Sequence, residues 1–236
     1  MDRIIASRGY ELRPIGAAPK GHTRFLSDVG RFGIEPKTVF DVGVGTGTNW
    51  LYEAFPSAKF VLVEPQCDFE RDIARWRTKL NADYYPVALG AQISQAELFV
   101  PDLAATSASL KSWSAETTRL VEQRGQARSG SVQTVNVRTL DSINNYQLPF
   151  LLKIDVEGAE LDVLRGATRT MADTQLILAE ISIMPRFDGE PTLTEVSQYL
   201  EDHNFKIFDF IELHQDSLGD RLRYIDAAFI KCGLSR

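Results

Sequence analysis

Cysteine is scarce in this chain of 236 residues. Cys67 and Cys232 stand far apart and in no metal-ligating spacing, which speaks against a disulfide scaffold and a structural zinc site and fits a reducing compartment. Long apolar runs are missing too. The stretch MDRIIASRGYELRP carries Asp2, Arg3 and Arg8 and lacks the apolar run of about seven or more residues that a signal peptide needs. Nothing elsewhere approaches the roughly 18 apolar residues of a membrane span, so a cytoplasmic protein with no membrane span is expected. Nor is positive charge in excess: 26 Lys and Arg against 32 Asp and Glu leave −6, a balance that disfavours DNA or another polyanion, and no nucleic acid is expected as a partner. Internal repeats are not visible. What the chain does have, 44% hydrophobic and 25% charged residues, suffices to bury a core and excludes disordered and fibrous classes. Its length suits one compact domain with insertions.

From residue 37 onward, short β-branched apolar runs alternate with amphipathic stretches, the pattern of parallel βα units. Strands are predicted at Thr38–Val42, Lys59–Glu64, Tyr84–Leu89, Leu151–Asp155 and Leu176–Ile181. A helix between the second and third places Phe69, Ile73, Trp76 and Leu80 on one stripe. Another helix, bearing Leu193, Val196 and Leu200, opens with a capping box, Thr192 followed three residues on by Glu195. Two strand-like runs close the chain, Lys206–Leu213 and Arg223–Lys231. The loop between them is too short for a crossover helix, so they pair antiparallel. Residues 1–36 form a separate extension with one helix, Arg24–Phe32, stopped by Gly33. The domain proper spans 37–236. Residues 101–131 form an insertion holding nine Ser/Thr residues together with Lys111, Arg119, Arg124 and Arg128, read as either a solvated connection or a substrate lid.

The most informative stretch is VFDVGVGTGT, Val39 to Thr48, where an apolar strand runs into Gly43, Gly45 and Gly47. Glycines here let the backbone approach a ligand and turn sharply into a helix. The dinucleotide fingerprint needs a third glycine at 48 or 50, and Thr48 and Trp50 stand there. Glu64, 21 residues after Gly43, ends the second strand where a carboxylate accepts hydrogen bonds from ribose hydroxyls. Asp41 either orders the glycine loop, faces the ammonium of a bound cofactor, or caps the turn. The second stretch is LLKIDVEGAE, Leu151 to Glu160. Lys153 and Asp155 share a face of a central strand, Asp155 lies at its carboxyl end, and Glu180 ends the neighbouring strand. Such a group takes a proton from a hydroxyl, or holds Mg²⁺ or Mn²⁺ if Glu157 also turns inward, or is a buried ion network that only fixes the architecture. His22 and His203 read as structural or solvated. His214 follows the sixth strand on the carboxyl-end side of the sheet and is a candidate base.

These residues resemble the FkbM family of S-adenosylmethionine-dependent methyltransferases. The matching pieces are FDVGVGTGT, VEP (Val63–Pro65), VALG (Val87–Gly90), SASL (Ser107–Leu110), TLDS (Thr139–Ser142), LLKIDVEGAELDVLRGA (Leu151–Ala167) and the strand ending in Glu180, covering about residues 37 to 182. KIDVEGAE is the most specific. One departure is Gly45, where the family often has Asn. The resemblance implies a doubly wound class I methyltransferase fold, which the antiparallel hairpin suits better than a dehydrogenase sheet. It implies S-adenosylmethionine held by Asp41, Gly43, Gly45, Gly47, Glu64, Pro65, Ala88 and Leu89. It implies methyl transfer to an oxygen of a sugar, glycan or other natural-product acceptor, with Asp155, Glu180, Lys153 and His214 as candidate catalytic groups and Asp155, Glu180 and Glu157 as candidate metal ligands. The alternatives are a nicotinamide-dependent oxidoreductase, which shares the strand-end acid, and a non-catalytic cofactor-binding regulator.

Overall fold

The computed structural model describes residues 21–102, 105–123, 129–215 and 221–234. Residues 1–20 of the extension, Arg124 and Arg128 of the insertion, and 216–220 of the terminal hairpin lie outside them.

In a seven-stranded sheet, β2 (Lys59–Val63) and then β3 (Ala82–Tyr85) lie on one side of β1 (Thr38–Val42), and β7 (Phe150–Ile154) and then β8 (Thr174–Ser182) lie on its other side. These five are parallel. The sheet is completed by β9 (Phe205–Gln215) and β10 (Leu222–Lys231), with β10 inserted antiparallel between β8 and β9. The order β3-β2-β1-β7-β8-β10-β9 is that of a class I methyltransferase sheet, as expected. Every residue of TVFDV in β1 and FLLKI in β7 is buried, because a parallel sheet is covered on both faces.

Strand alternation splits that burial into two layers. Phe40, Val42, Phe150, Leu152 and Ile154 face a cluster with Leu161 and Leu164 of α6 (Glu160–Arg165) and Val196 and Leu200 of α8 (Leu193–Asp202). Val39, Phe60, Leu62 and Leu151 face the opposite cluster with Phe25, Leu26 and Val29 of α1 (His22–Val29), Leu51 of α2 (Asn49–Ala54) and Ile73 of α3 (Glu70–Arg77). Each such side chain contributes about 1.5–3 kcal/mol on burial. Helix α1 continues as a 3-10 turn and stops at Gly33, which takes a left-handed conformation. The Thr192–Glu195 capping box is present at α8.

The sequence reading departs from the structure at two places. The strand predicted over Tyr84–Leu89 is broken at Pro86, which has no N–H for a ladder. Only β3 joins the large sheet. The second piece, β4 (Ala88–Leu89), pairs with β6 (Gly130–Arg138), which pairs antiparallel with β5 (Ser94–Pro101) in a separate three-stranded sheet. Residues 101–131 are therefore largely the connection of a long hairpin, carrying α4 (Ala115–Gln123). Its described part is not simply solvated: Ser109 is buried and donates to the Glu157 carbonyl at 2.6 Å, and Ser114 N donates to Arg186 O at 2.9 Å. The remaining short helices are α5 (Leu140–Ile143) and α7 (Thr168–Ala172). No helix among the described residues is long and apolar enough to cross a membrane.

Candidate active site

The sheet order reverses between β1 and β7, and in open α/β sheets a crevice opens outside the strand carboxyl ends at that point. A cavity of about 470 Å³ lies there. Its first wall is the glycine loop. Gly43 N donates to Val63 O at 2.9 Å, and Lys153 Nζ donates to Gly43 O at 2.7 Å, tying three strand ends together. At Gly43 φ is 80°, and a Cβ there would stand 1.7 Å from the Asp155 carbonyl oxygen, so only glycine lets the two loops pass. Gly45 is different: a Cβ on it would meet nothing nearer than Thr106 Cγ2 at 3.9 Å.

Glu64, 4% exposed, turns its carboxylate into this loop. Oε2 accepts from Gly45 N and Oε1 from Gln66 N, both at 3.0 Å. Burial raises its carboxyl above the usual range, against the pull of those two amides. Gly43, Gly45, Gly47, Pro65, Ala88 and Leu89 all line the cavity beside it. Gln66 also lines it, and among the described residues its buried Oε1 has no hydrogen-bond partner. Asp41 is the correction in this set. It is fully buried and absent from the lining; its Oδ2 accepts from Tyr52 Oη at 2.6 Å and its Oδ1 lies 3.2 Å from Lys153 Nζ. It braces the loop from beneath rather than facing a ligand.

Lys153 is equally sunk. Burial disfavours its charge, but Asp41 and Asp155 outweigh burial and hold its ammonium above its ordinary pKa. It is a fixed cation, unsuited to taking a proton. Asp155, 3.4 Å from it, is the most open carboxylate of the group, 39% exposed, and lines the cavity. Glu157 and Glu180 do turn inward, and carboxylate oxygens of the three lie within 4.8 Å of one another. Arg186 takes two of them: Nη1 lies 2.9 Å from Glu157 and Nη2 donates to Glu180 at 2.7 Å. Burial, Asp155 and Glu157 push the Glu180 carboxyl up to about 9 despite that arginine, and burial lifts Glu157 to about 7. The loop between is closed by Glu160, whose Oε1 accepts from Gly158 N at 3.0 Å.

His214 faces the cavity with Nε2 2.9 Å from Asp226 Oδ2 and its ring stacked on Tyr224. His22 also lines the cavity, stacked on Trp50, with Nδ1 3.1 Å from Glu212 Oε1. His203 lies elsewhere, bonded to Tyr199 O at the end of α8.

A family model described as the methyltransferase FkbM domain matches residues 41–207. The chain belongs to the FkbM methyltransferase family. Among solved structures, an FkbM methyltransferase from Methylobacillus flagellatus KT is similar at 15% identity and TM-score 0.53, over 90% of this chain and 48% of that one. The FkbM chain described here thus spans about half the length of that relative. More distant are magnesium protoporphyrin IX methyltransferase from Synechocystis PCC 6803 with bound SAM (8% identity, TM-score 0.46, 89% of this chain and 76% of that one) and 1,6-didemethyltoxoflavin-N1-methyltransferase from Burkholderia thailandensis with bound S-adenosylhomocysteine (10%, 0.45, 90% and 79%). No curated protein matches the chain.

The family motifs therefore point to most of the cavity's residues. Sequence reasoning missed Arg186, Gln66, Glu212 and Asp226, and it set His22 aside. Arg186 lies in a loop with no pattern around it. The strand predicted to end at Leu213 runs on to Gln215 as β9, so His214 lies within it and Glu212, two positions earlier, shares its face.

Proposed function

We propose that the protein transfers the methyl group of S-adenosylmethionine to a hydroxyl oxygen of a small polyhydroxylated acceptor, a sugar, glycan or related natural product. The observation that carries this reading is a single cavity in which the buried Glu64 carboxylate stands at the glycine loop and the open Asp155 carboxylate stands at the end of a central strand. The residues suit the cofactor: the Glu64 carboxylate can accept from ribose hydroxyls, Gln66 Oε1 has no donor among the described residues, and Gly45 leaves open space beside them. The cofactor supplies an activated methyl carbon on a sulfonium. What remains for the protein is to align the acceptor and manage its proton. Asp155 is the group for that proton. Lys153 holds Asp155 and the Gly43 carbonyl in place, a positioning role. Glu180, held by Arg186 at the end of the neighbouring strand, is suited to orient the acceptor. At Glu157 and Glu180 the guanidinium of Arg186 already supplies the positive charge that Mg²⁺ or Mn²⁺ would bring.

Hydride transfer is the weaker reading, since Thr48 and Trp50 stand where a dinucleotide loop has its third glycine. The test is incubation with S-adenosylmethionine labelled in its methyl group and a panel of free, nucleotide-linked and glycosidic sugars. Label is expected in an ether-linked methyl on one acceptor class. Label in none, with S-adenosylhomocysteine still bound tightly, would favour a non-catalytic binding protein.

A further inference from the structure

The register of the terminal strands puts three carboxylates in one lateral row: Glu180 of β8 opposite Asp226 of β10, and Asp226 opposite Glu212 of β9. Like charges directly opposite on neighbouring strands repel, so such a row needs cations. Glu180 has Arg186. Among the described residues the other two face imidazoles: His22 Nδ1 lies 3.1 Å from Glu212 Oε1, His22 Nε2 lies 3.4 Å from Asp226 Oδ2, and His214 Nε2 lies 2.9 Å from Asp226 Oδ2.

We propose that His22, Glu212 and Asp226 form a binding site for one first-row divalent cation, Zn²⁺ or Mn²⁺, on the β9–β10 side of the cavity. One ligand atom from each of the three lies within 4.8 Å of the others, and all three residues line the cavity. A mixed set of imidazole nitrogen and carboxylate oxygen suits these ions better than the all-oxygen sets preferred by Mg²⁺ or Ca²⁺. The ligands are held in place before any ion arrives. His22 is stacked on Trp50 with ring centres 4.0 Å apart, and the chain entering α1 is pinned to β9 through Gly21 N to Ile211 O at 3.1 Å. Glu212 and Asp226 stand directly opposite one another on the antiparallel pair of β9 and β10. His214, stacked on Tyr224, hydrogen-bonds Asp226 and orients it, the kind of outer partner that metal-ligating carboxylates have.

Three protein ligands leave coordination positions open toward the cavity, as in catalytic rather than structural sites. Four strand spacings separate β2, which leads into Glu64, from β10, about 19 Å in the sheet plane. On the methyl-transfer reading, the ion therefore meets the acceptor and not the adenosine, and it favours a substrate with a hydroxyl or carboxylate able to ligate it. This role rests on that reading, whereas binding of the ion does not.

The test is titration of the chelator-treated 236-residue chain with Mn²⁺, followed by loss of the free-ion electron paramagnetic resonance signal, and with Zn²⁺ by calorimetry. One ion per chain is expected at micromolar affinity or tighter. His22→Ala and Asp226→Asn should each weaken it by more than about tenfold, and His214→Gln by about 10- to 100-fold. Asp155→Asn and Glu180→Gln should leave it unchanged. Thermal melts and S-adenosylhomocysteine titrations on the same samples report folding and the cofactor site separately. If a variant fails to fold, the other two decide. Failure of the wild-type protein to bind either ion below millimolar concentration overturns the proposal, and so does binding that survives His22→Ala but is lost in Asp155→Asn. Ion binding without S-adenosylhomocysteine binding would keep this site and remove the cofactor reading.

Discussion

Gly43→Ala is expected to cost far more stability than Gly45→Ala, two positions along the same loop. At both, φ is positive, 80° and 51°, and a left-handed backbone costs an L side chain about 1–2 kcal/mol. The difference is space. At Gly43 the new Cβ would lie 1.7 Å from the Asp155 carbonyl oxygen, so the β1 and β7 loops must part by roughly 2 Å to reach ordinary contact, and overpacking of this kind typically costs about 1–3 kcal/mol more. That carbonyl is backbone, not the end of a flexible side chain. Parting the loops also strains the Lys153 bond to Gly43 O and the Gly43 bond to Val63 O. The sum, about 2–5 kcal/mol, is a large share of the 5–15 kcal/mol that typically holds a domain folded. Urea unfolding of the three proteins, with S-adenosylhomocysteine titration of those that fold, measures it. Gly45→Ala should lose about 1–2 kcal/mol of stability, and its methyl group should intrude on the cavity and weaken ligand binding. If both variants unfold within about 0.5 kcal/mol of each other, the close approach of the two loops is not what Gly43 provides.

Asp155→Asn should lower methyl transfer by on the order of 100-fold while leaving S-adenosylhomocysteine affinity nearly unchanged, as loss of a positioned proton acceptor does; steady-state kinetics and calorimetry separate the two. Tyr52→Phe should cost about 1–3 kcal/mol in a thermal or urea melt, because it leaves Asp41 Oδ2 buried without its hydroxyl donor. Glu160, 3% exposed, has its carboxyl lifted by burial to about 7, above the ordinary glutamate value near 4.3 in the unfolded chain. Between those values the folded state binds more protons, so stability should fall by about 2–3 kcal/mol from this group as pH rises from about 4.5 to 7. Glu160→Gln keeps the acceptor for Gly158 N and should flatten that slope in urea melts taken at several pH values. The flattening is partial, since Glu157, also lifted to about 7, acts in the same window.

The parts of the protein that were legible in its sequence are those whose chemistry is written in consecutive residues. FDVGVGTGT states a buried strand and a glycine turn in one line, and KIDVEGAE a central strand with an acid at its end. Parallel strands buried on both faces read as unbroken apolar runs, and the terminal hairpin declared itself through a loop too short for a helix. The three-stranded sheet was harder. Val135 and Val137 alternate inward against Leu98 and Val100, but Glu97, Gln133 and the exposed Val132 thin the pattern, and Pro86 hid the break that sends β4 into that sheet. Asp41 was legible as important but not as to direction, because only Tyr52 and Lys153 reveal that it points beneath the loop. Arg186 and His22 were not legible at all as site residues. Arg186 owes its place to a loop folded back on β8 toward Glu157, and His22 to a helix seated against β9 and α2.

The most direct measurement of the central claim is calorimetry of the 236-residue chain with S-adenosylhomocysteine and, separately, with NADH, repeated on Glu64→Ala. The wild-type protein should bind S-adenosylhomocysteine with micromolar affinity and NADH not at all. Hydrogen bonds to a charged group are worth about 1.5–3 kcal/mol, so Glu64→Ala should weaken S-adenosylhomocysteine by roughly 10- to 150-fold. Equal binding of NADH, or a Glu64→Ala variant that folds and binds S-adenosylhomocysteine as tightly as wild type, would contradict the assignment of this cavity to the methyl donor.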